Sequence, residues 1–303
     1  MPHGAAQHSL TPLTPSEVAI RDRIRSHVQM LAVTIGGRDA VRYDALRRAA
    51  RYIEAELRSY SYTPEQQLFS AAGKQFENIE AEQRGTEHAT NIVVIGAHYD
   101  TAGGLPGAND NGSGVAAGLE LARMFRNQKR RTTIRWVFFA NEEPPYFQTP
   151  AMGSYVYAKR CRERGENIVA MLSLETIGYY SDQAGSQSYP LGFHPGYPNR
   201  GNFLGFVADL KSAGLLRKAP KSFRGATSLP AEGAAAPALI PGVGWSDHWA
   251  FWQFGYRALM LTDTAPFRYP YYHTAEDTPE KLDYDRLARA FTGIAAAVSE
   301  LAW

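Results

Sequence analysis

The stretch Ile95-Gly-Ala-His98-Tyr-Asp100-Thr101, followed by Gly107-Ala-Asn-Asp110-Asn-Gly-Ser-Gly114, decides how this chain of 303 residues is read. The apolar run Ile92-Val-Val-Ile95 ends there in a histidine and two carboxylates rather than in plain turn residues. A short apolar run bounded by turn signals is the pattern of a buried strand, and imidazole and carboxylate are ligands of borderline and hard cations. The segment reads as a strand whose end carries half of a metal site.

Working outward, Val18, Ile20, Ile24, Val28 and Leu31 predict a helix over 15–35, and Leu46, Ala50, Ile53 and Leu57 one over 43–60. Gln67 to Phe69 and Gln75 to Glu82 read as a hairpin about Ala72-Gly73-Lys74 at a sheet edge. From there strand and helix alternate: 91–97 strand, 113–127 helix, 133–140 strand, 152–164 helix, 168–175 strand. A helix over 201–216, a strand over 258–262 and a helix over 281–301 complete the pattern. Such alternation predicts an α/β fold, a three-layer α/β/α sandwich with a mixed, centrally parallel sheet. The Ala, Pro and Gly-rich segment 218–244 reads as a long loop rather than a linker. A single catalytic domain over 1–303 is expected, with leading helices at 15–60 and a core from about 66 to 303.

A 44% hydrophobic content fills a substantial core, and 32 basic against 30 acidic residues leave a net charge of +2. That balance excludes a nucleic-acid footprint; the run Lys129-Arg130-Arg131 reads as solvated. Cys161 is the lone cysteine, so no intrachain disulfide or cysteine metal cluster can form and any metal must be held by His, Asp and Glu. It falls in a predicted helix, as a small buried residue. The residues from Met1 to Leu10 lack a signal-peptide pattern, and no segment approaches eighteen apolar residues. The expectation is a cytoplasmic protein with no membrane partner, or a secreted or periplasmic one if a signal peptide has been removed.

Ligands of open α/β sheets bind beyond the carboxyl ends of strands, and three predicted strands end in candidate groups. The first delivers His98 and Asp100, the second runs into Asn141-Glu142-Glu143, and the third into Glu175. His273 follows the strand at 258–262. Carboxylates converging at buried strand ends raise one another's pKa unless a cation neutralises them, and Asp110, Glu142, Glu143 and Glu175 match the charge of two divalent ions. Singly, each has a plainer reading: His98 as a hydrogen-bonded loop histidine, Asp110 as a turn former, Glu142-Glu143 as a solvated strand end. Those readings do not explain the groups at successive strand ends together.

His98-Tyr-Asp100, Gly107-Ala-Asn-Asp110-Asn-Gly-Ser-Gly114, Asn141-Glu-Glu143, Met152-Gly-Ser154, Glu175-Thr-Ile-Gly178, Ser246-Asp-His248 and Tyr272-His-Thr-Ala-Glu-Asp-Thr278 occur in this order. In that order they resemble peptidase family 28 of the metallo class, over roughly 90–300. That family includes bacterial zinc aminopeptidases, glutamate carboxypeptidases and glutaminyl cyclases. The resemblance implies a zinc-exopeptidase-like fold, two Zn2+ ions, and peptide substrates with a free N-terminus. It implies that Asp110 bridges the ions, that His98 and Glu175 complete one, and that Glu143 and His273 complete the other. Asp100 would accept the second ring N–H of His98 as a supporting carboxylate. The Asp110-Asn111 bond is a candidate for a cis peptide. Glu175 departs from the aspartate that aminopeptidases of the group commonly carry. Asn111-Gly-Ser113 also matches a glycosylation sequon, discounted so close to the metals.

Adjacent residues point in different directions, so Glu142 is expected as general base beside the ligand Glu143. The resemblance makes Tyr272 a donor to the oxyanion; it reads equally as a packing tyrosine beside Tyr271. Ser246-Asp247 reads first as a helix cap before Trp249, and only second, with His248, as part of a substrate pocket. The insertion Pro144 to Ala151 and Tyr179, Tyr180, Phe267, Tyr269 and Tyr271 read equally as the lining of a pocket for an apolar N-terminal side chain and as ordinary core. Two alternatives stand beside the aminopeptidase: a single-zinc glutaminyl-peptide cyclase, and a non-catalytic binding domain on the same scaffold. A serine hydrolase built on Gly244-Trp-Ser246 lacks the second glycine of a nucleophile elbow.

Overall fold

A computed structural model describes residues 10–190 and 196–303. The first nine residues, read above for a signal segment, lie outside them.

In chain order the elements are α1 (Pro15–Gln29), α2 (Tyr43–Ser59), β1 (Glu65–Ala71), β2 (Lys74–Gln83), β3 (His88–His98), α3 (Gly114–Phe125), β4 (Thr132–Phe139) and α4 (Gly153–Glu163). They continue with β5 (Asn167–Glu175), β6 (Leu204–Ala208), α5 (Leu215–Ala226), β7 (Ala231–Ala235), α6 (His248–Gln253), β8 (Ala258–Thr262), α7 (Ala265–Arg268) and α8 (Tyr284–Leu301). The eight strands form one sheet in the order β1-β2-β4-β3-β5-β8-β6-β7. Its centre, β4-β3-β5-β8, is parallel, and β2 and β6 join it antiparallel. This is the mixed, centrally parallel sheet the alternation predicts.

Alternation along β3 builds both outer layers. Val93, Ile95 and Ala97 face the core shared with α1, α2, α3 and α8, while Ile92 and Val94 face the smaller core beneath α4 and α6. Buried Cys161 belongs to the second. α1 starts on a capping box, with Thr14 accepting from the Glu17 N–H and the Glu17 carboxylate accepting in return. Central α3 buries Glu120, whose carboxylate is met by Arg23 at 2.7 Å and Arg123 at 2.6 Å. No helix among the described residues is long and apolar enough to cross a membrane.

The region after β5 differs from expectation. Residues 201–216 do not form a helix: Leu204–Ala208 is a strand antiparallel to β8. Phe203-Leu-Gly-Phe-Val-Ala208 is a short, contiguous apolar run, which periodicity alone cannot separate from a buried helix segment. The expected loop at 218–244 instead carries most of α5 and all of β7. Pro220 inside α5 reads as a breaker, yet Leu215, Ala219 and Phe223 form a buried stripe that holds the helix, with the Phe223 ring 5.5 Å from that of Phe206.

Candidate metal centre

The chain leaves β3 through α3 to β4 on one side, and returns through α4 to β5 on the other, so a crevice opens at the carboxyl ends of these strands. His98 ends β3, Glu142 and Glu143 follow β4, and Glu175 ends β5. The segment 108–113 folds back over the crevice, with the Asp110-Asn111 peptide cis, and brings Asp110 between them. α3 begins so close to β5 that a Cβ on Gly114 would lie 2.3 Å from both Asn111 Oδ1 and Leu174 O, which explains glycine there. Asn111 ties the two segments by donating to Leu174 O and accepting from the Gly114 and Thr176 N–H groups.

Three groups of candidate ligands result: His98, Asp110 and Glu175; Asp110, Glu143 and His273; and His98, Glu142 and Glu143, the first two sharing Asp110. Asp110 Oδ1 and Glu175 Oε2 each lie 3.3 Å from His98 Nε2. Asp110 Oδ2 and Glu143 Oε1 lie 3.1 and 3.3 Å from His273 Nε2. Glu142 Oε2 lies 3.9 Å from His98 Nε2. His98 Nε2, Asp110 Oδ1 and Glu143 Oε1 are buried and have no hydrogen-bond partner among the described residues. Orphaned buried donors and acceptors are rare, and three aimed at one another's vicinity fit a cation held by nitrogen and oxygen ligands.

The electrostatics agree. Burial raises Glu143 to about 7, helped by Asp110 and opposed by His273. Burial pushes Glu142 well above the carboxylate range, with Glu143 and Glu175 reinforcing it against His98, and raises Glu175 against the pull of His98. Burial would neutralise His98 and His273, but surrounding carboxylates outweigh it, holding His98 well above its ordinary value and His273 at about 10. Asp110 goes the other way: burial would raise it, but His273 and His98 hold it below the usual range. Without a cation, protons carry the positive charge that this cluster requires.

Asp100, Ser246, Asp247 and His248 differ in part from their reading in sequence. The carboxylate of Asp100 is 3.6 Å from His98 Nδ1, which meets the Asp100 main-chain oxygen at 3.2 Å. Its two oxygens instead accept the Glu142 N–H at 3.1 Å and the Glu143 N–H at 3.0 Å, so Asp100 fixes the turn that presents both glutamates. Ser246 and Asp247 make no side-chain cap on α6. Ser246 accepts from Ser173 at 2.9 Å and donates to Glu175 Oε2 at 2.7 Å, holding the longer acid in place. Asp247 is buried with neither oxygen hydrogen-bonded among the described residues, and burial raises it to about 7. His248 turns away, its Nε2 at 2.8 Å from Val243 O, and burial lowers it to about 4. Tyr272 stacks on His273, ring centroids 3.9 Å apart, and burial with the nearby carboxylates keeps its phenol protonated.

From Glu175 and Tyr272 an apolar cleft of about 760 Å³, open mouth included, extends along the sheet. Of the residues read as pocket lining or core, only Phe267 lines the cleft. Tyr146 of the insertion packs on Phe76, Tyr180 donates to Ile177 O, Tyr179 packs on Tyr269, and Tyr269 donates to Asp277. The walls come from Phe203, Phe206, Val243, Trp245 and Met260, largely from the segment misread in sequence. Glu232 also lines the cleft. A signal for it was available: it is the only charged residue between Arg224 and Asp247.

The model of Peptidase family M28 matches residues 78–298. The chain is 34% identical over 295 residues to the uncharacterized protein YfbL of Escherichia coli (strain K12), covering 93% of this chain and 88% of that one. It is 27% identical over 225 residues to a probable leucine aminopeptidase 1 of Trichophyton verrucosum, covering 70% of this chain and 54% of the relative. Its fold is similar to that of BSAP, a zinc aminopeptidase from Bacillus subtilis, with TM-score 0.71, 18% identity and coverage of 93% and 95%. It is similar also to a glutaminyl cyclase of Tannerella forsythia, with TM-score 0.66, 20% identity and coverage of 92% and 98%. The chain belongs to peptidase family M28.

Proposed function

We propose that the protein is an aminopeptidase acting on peptides with a free N-terminus. His98, Asp110 and Glu175 would hold one zinc ion, and Asp110, Glu143 and His273 a second. The observation that carries this reading is the division of the Asp110 carboxylate, with Oδ1 toward His98 and Oδ2 toward His273. Bound zinc supplies Lewis acidity, polarising the scissile carbonyl and lowering the pKa of a water held in the site.

The remaining chemistry falls to this chain's own groups. Glu142, buried beside the triads, has the raised proton affinity of a group that takes a proton from the attacking water and returns it to the departing amine. Asp100 holds Glu142 in place through its backbone N–H. Tyr272 keeps its proton and faces the mouth of the cleft, where it can donate to the oxyanion that forms on the substrate. The apolar cleft beyond Glu175 takes the side chain of the N-terminal residue and excludes water from it.

The test is Glu142→Gln. General acid–base catalysis is worth about 10²- to 10⁴-fold, and kcat on an aminoacyl amide should fall by that order while zinc content stays at two per chain. Full turnover in the variant would refute the base assignment. One tightly held zinc, together with cyclisation of an N-terminal glutamine peptide, would favour the cyclase instead.

A further inference from the structure

Strand register places two glutamates at opposite ends of one row. Glu175 on β5 pairs with Thr262 on β8, Thr262 with Gly205 on β6, and Gly205 with Glu232 on β7. Laterally paired residues project from the same face of a sheet, and all four line the same cleft. The row is therefore the cleft's floor, with the candidate zinc ligand at one end and Glu232 at the other. Between them Gly205 keeps the floor open: a Cβ there would already press on Thr262 O at 3.2 Å and Thr264 Cγ2 at 3.3 Å.

Glu232 is unlike the rest of this apolar lining. It is only 4% exposed, and its carboxylate accepts no hydrogen bond among the described residues. Arg224 is near enough to attract it, but the guanidinium donates to Ala231 O at 2.7 and 3.1 Å. Burial raises Glu232 to about 7, outweighing the attraction of Arg224. A buried carboxylate that the guanidinium attracts while donating its hydrogen bonds elsewhere is costly to keep charged, and a cationic guest in contact with it would relieve that cost.

We propose that Glu232 makes this cleft selective for a basic N-terminal residue, lysine or arginine, whose aliphatic stem lies along Phe203, Val207 and Met260 and whose cationic head meets the Glu232 carboxylate. This rests on the aminopeptidase reading above. The dimensions suit it. Three inter-strand spacings of about 4.8 Å put the Cα atoms of Glu175 and Glu232 roughly 14 Å apart. A lysine or arginine side chain reaches about 6–7 Å from its Cα, and glutamate about 4 Å toward it, so a residue seated at the Glu175 end reaches across. Leucine, reaching only about 2.6 Å, leaves the carboxylate unpaired and is disfavoured for that reason as much as for lost contact.

The test measures kcat/KM for lysyl, arginyl, leucyl and phenylalanyl amidomethylcoumarin on zinc-loaded wild type and on Glu232→Gln. Wild type should favour lysine and arginine over leucine by about tenfold or more, and the isosteric variant should lower the lysine-to-leucine ratio by about 10- to 100-fold. A wild-type preference for leucine or phenylalanine, or an unchanged ratio in the variant, would overturn the assignment. Calorimetry on wild type alone provides a second readout that needs neither the variant nor turnover: L-lysine should bind more tightly than L-norleucine, which has the same stem without the charge. Equal or tighter binding of norleucine would overturn the subsite. Absence of cleavage of every aminoacyl substrate would count against the aminopeptidase reading while leaving the lysine and norleucine comparison decisive for the subsite.

Discussion

Replacing Asp100 by asparagine removes one of the two carboxylate oxygens that hold the Glu142-Glu143 turn, and sets an NH2 group against an N–H that is left without an acceptor. In the wild-type protein those oxygens accept the Glu142 and Glu143 N–H groups at 3.1 and 3.0 Å, all within a buried setting. A hydrogen bond to a charged group is worth about 1.5–3 kcal/mol, and one buried donor left unsatisfied costs about 1–3 kcal/mol, so a loss of about 2.5–6 kcal/mol is expected. With an unfolding entropy of roughly 0.6 kcal/mol per kelvin for a chain of this length, the melting temperature should fall by about 4–10 °C. The same turn carries Glu143, and His98 loses the nearby charge, so zinc affinity should fall by about 10- to 100-fold. Differential scanning calorimetry of the metal-loaded protein and a zinc competition titration measure the two effects. If Asp100→Asn leaves both the melting temperature and the zinc affinity unchanged, the carboxylate does not organise the turn, and the role assigned to it is wrong.

Ser246→Ala should loosen Glu175, since the hydroxyl donates to its Oε2 at 2.7 Å. About tenfold weaker binding of one zinc equivalent, with the other unchanged, is the expected result of a chelator titration, and coincident loss of both at the wild-type concentration would count against it. In the metal-free protein, burial raises Glu143, Asp247 and Asp263 to about 7 and Asp277 to about 6, above their unfolded values. The folded state then binds more protons than the unfolded one between about pH 4 and 7, so stability falls as pH rises through that window. His273, held at about 10, contributes stability that is present below its unfolded value near 6.5 and lost as pH rises toward 10. Metal-free protein should therefore melt higher at about pH 5.5 than at about pH 8, and added zinc should reverse the order because its ligands must lose protons to bind. Metal-free protein that melts higher at the alkaline pH would contradict the reading.

Four of the candidate metal-centre residues were legible because each sits where an apolar run stops. His98, Glu142, Glu143 and Glu175 follow β3, β4 and β5, and the parallel centre brings those strand ends to one crevice. Asp110 and His273 lie in irregular segments, and only the order of motifs around them pointed to the site. What escaped was the partnering: nothing in Asp100-Thr101 announces that its carboxylate reaches forward to 142 and 143, nor does Ser246 announce Glu175 as its acceptor. These are contacts between segments distant in the chain, fixed by strand order. The cleft was missed for a local reason. A proline within α5, a five-residue strand at the sheet's edge and an Ala-rich run carry weak patterns, so β6, α5 and β7 were assigned wrongly and the row from Glu175 to Glu232 could not be seen.

The central claim is that Asp110 bridges two zinc ions. Anomalous diffraction from zinc-loaded crystals, recorded on both sides of the zinc absorption edge, measures this directly. Two peaks about 3.5–4 Å apart are predicted, one beside His98 and Glu175 and one beside Glu143 and His273, with an Asp110 oxygen on each. A single peak, or two peaks that Asp110 does not join, would contradict it.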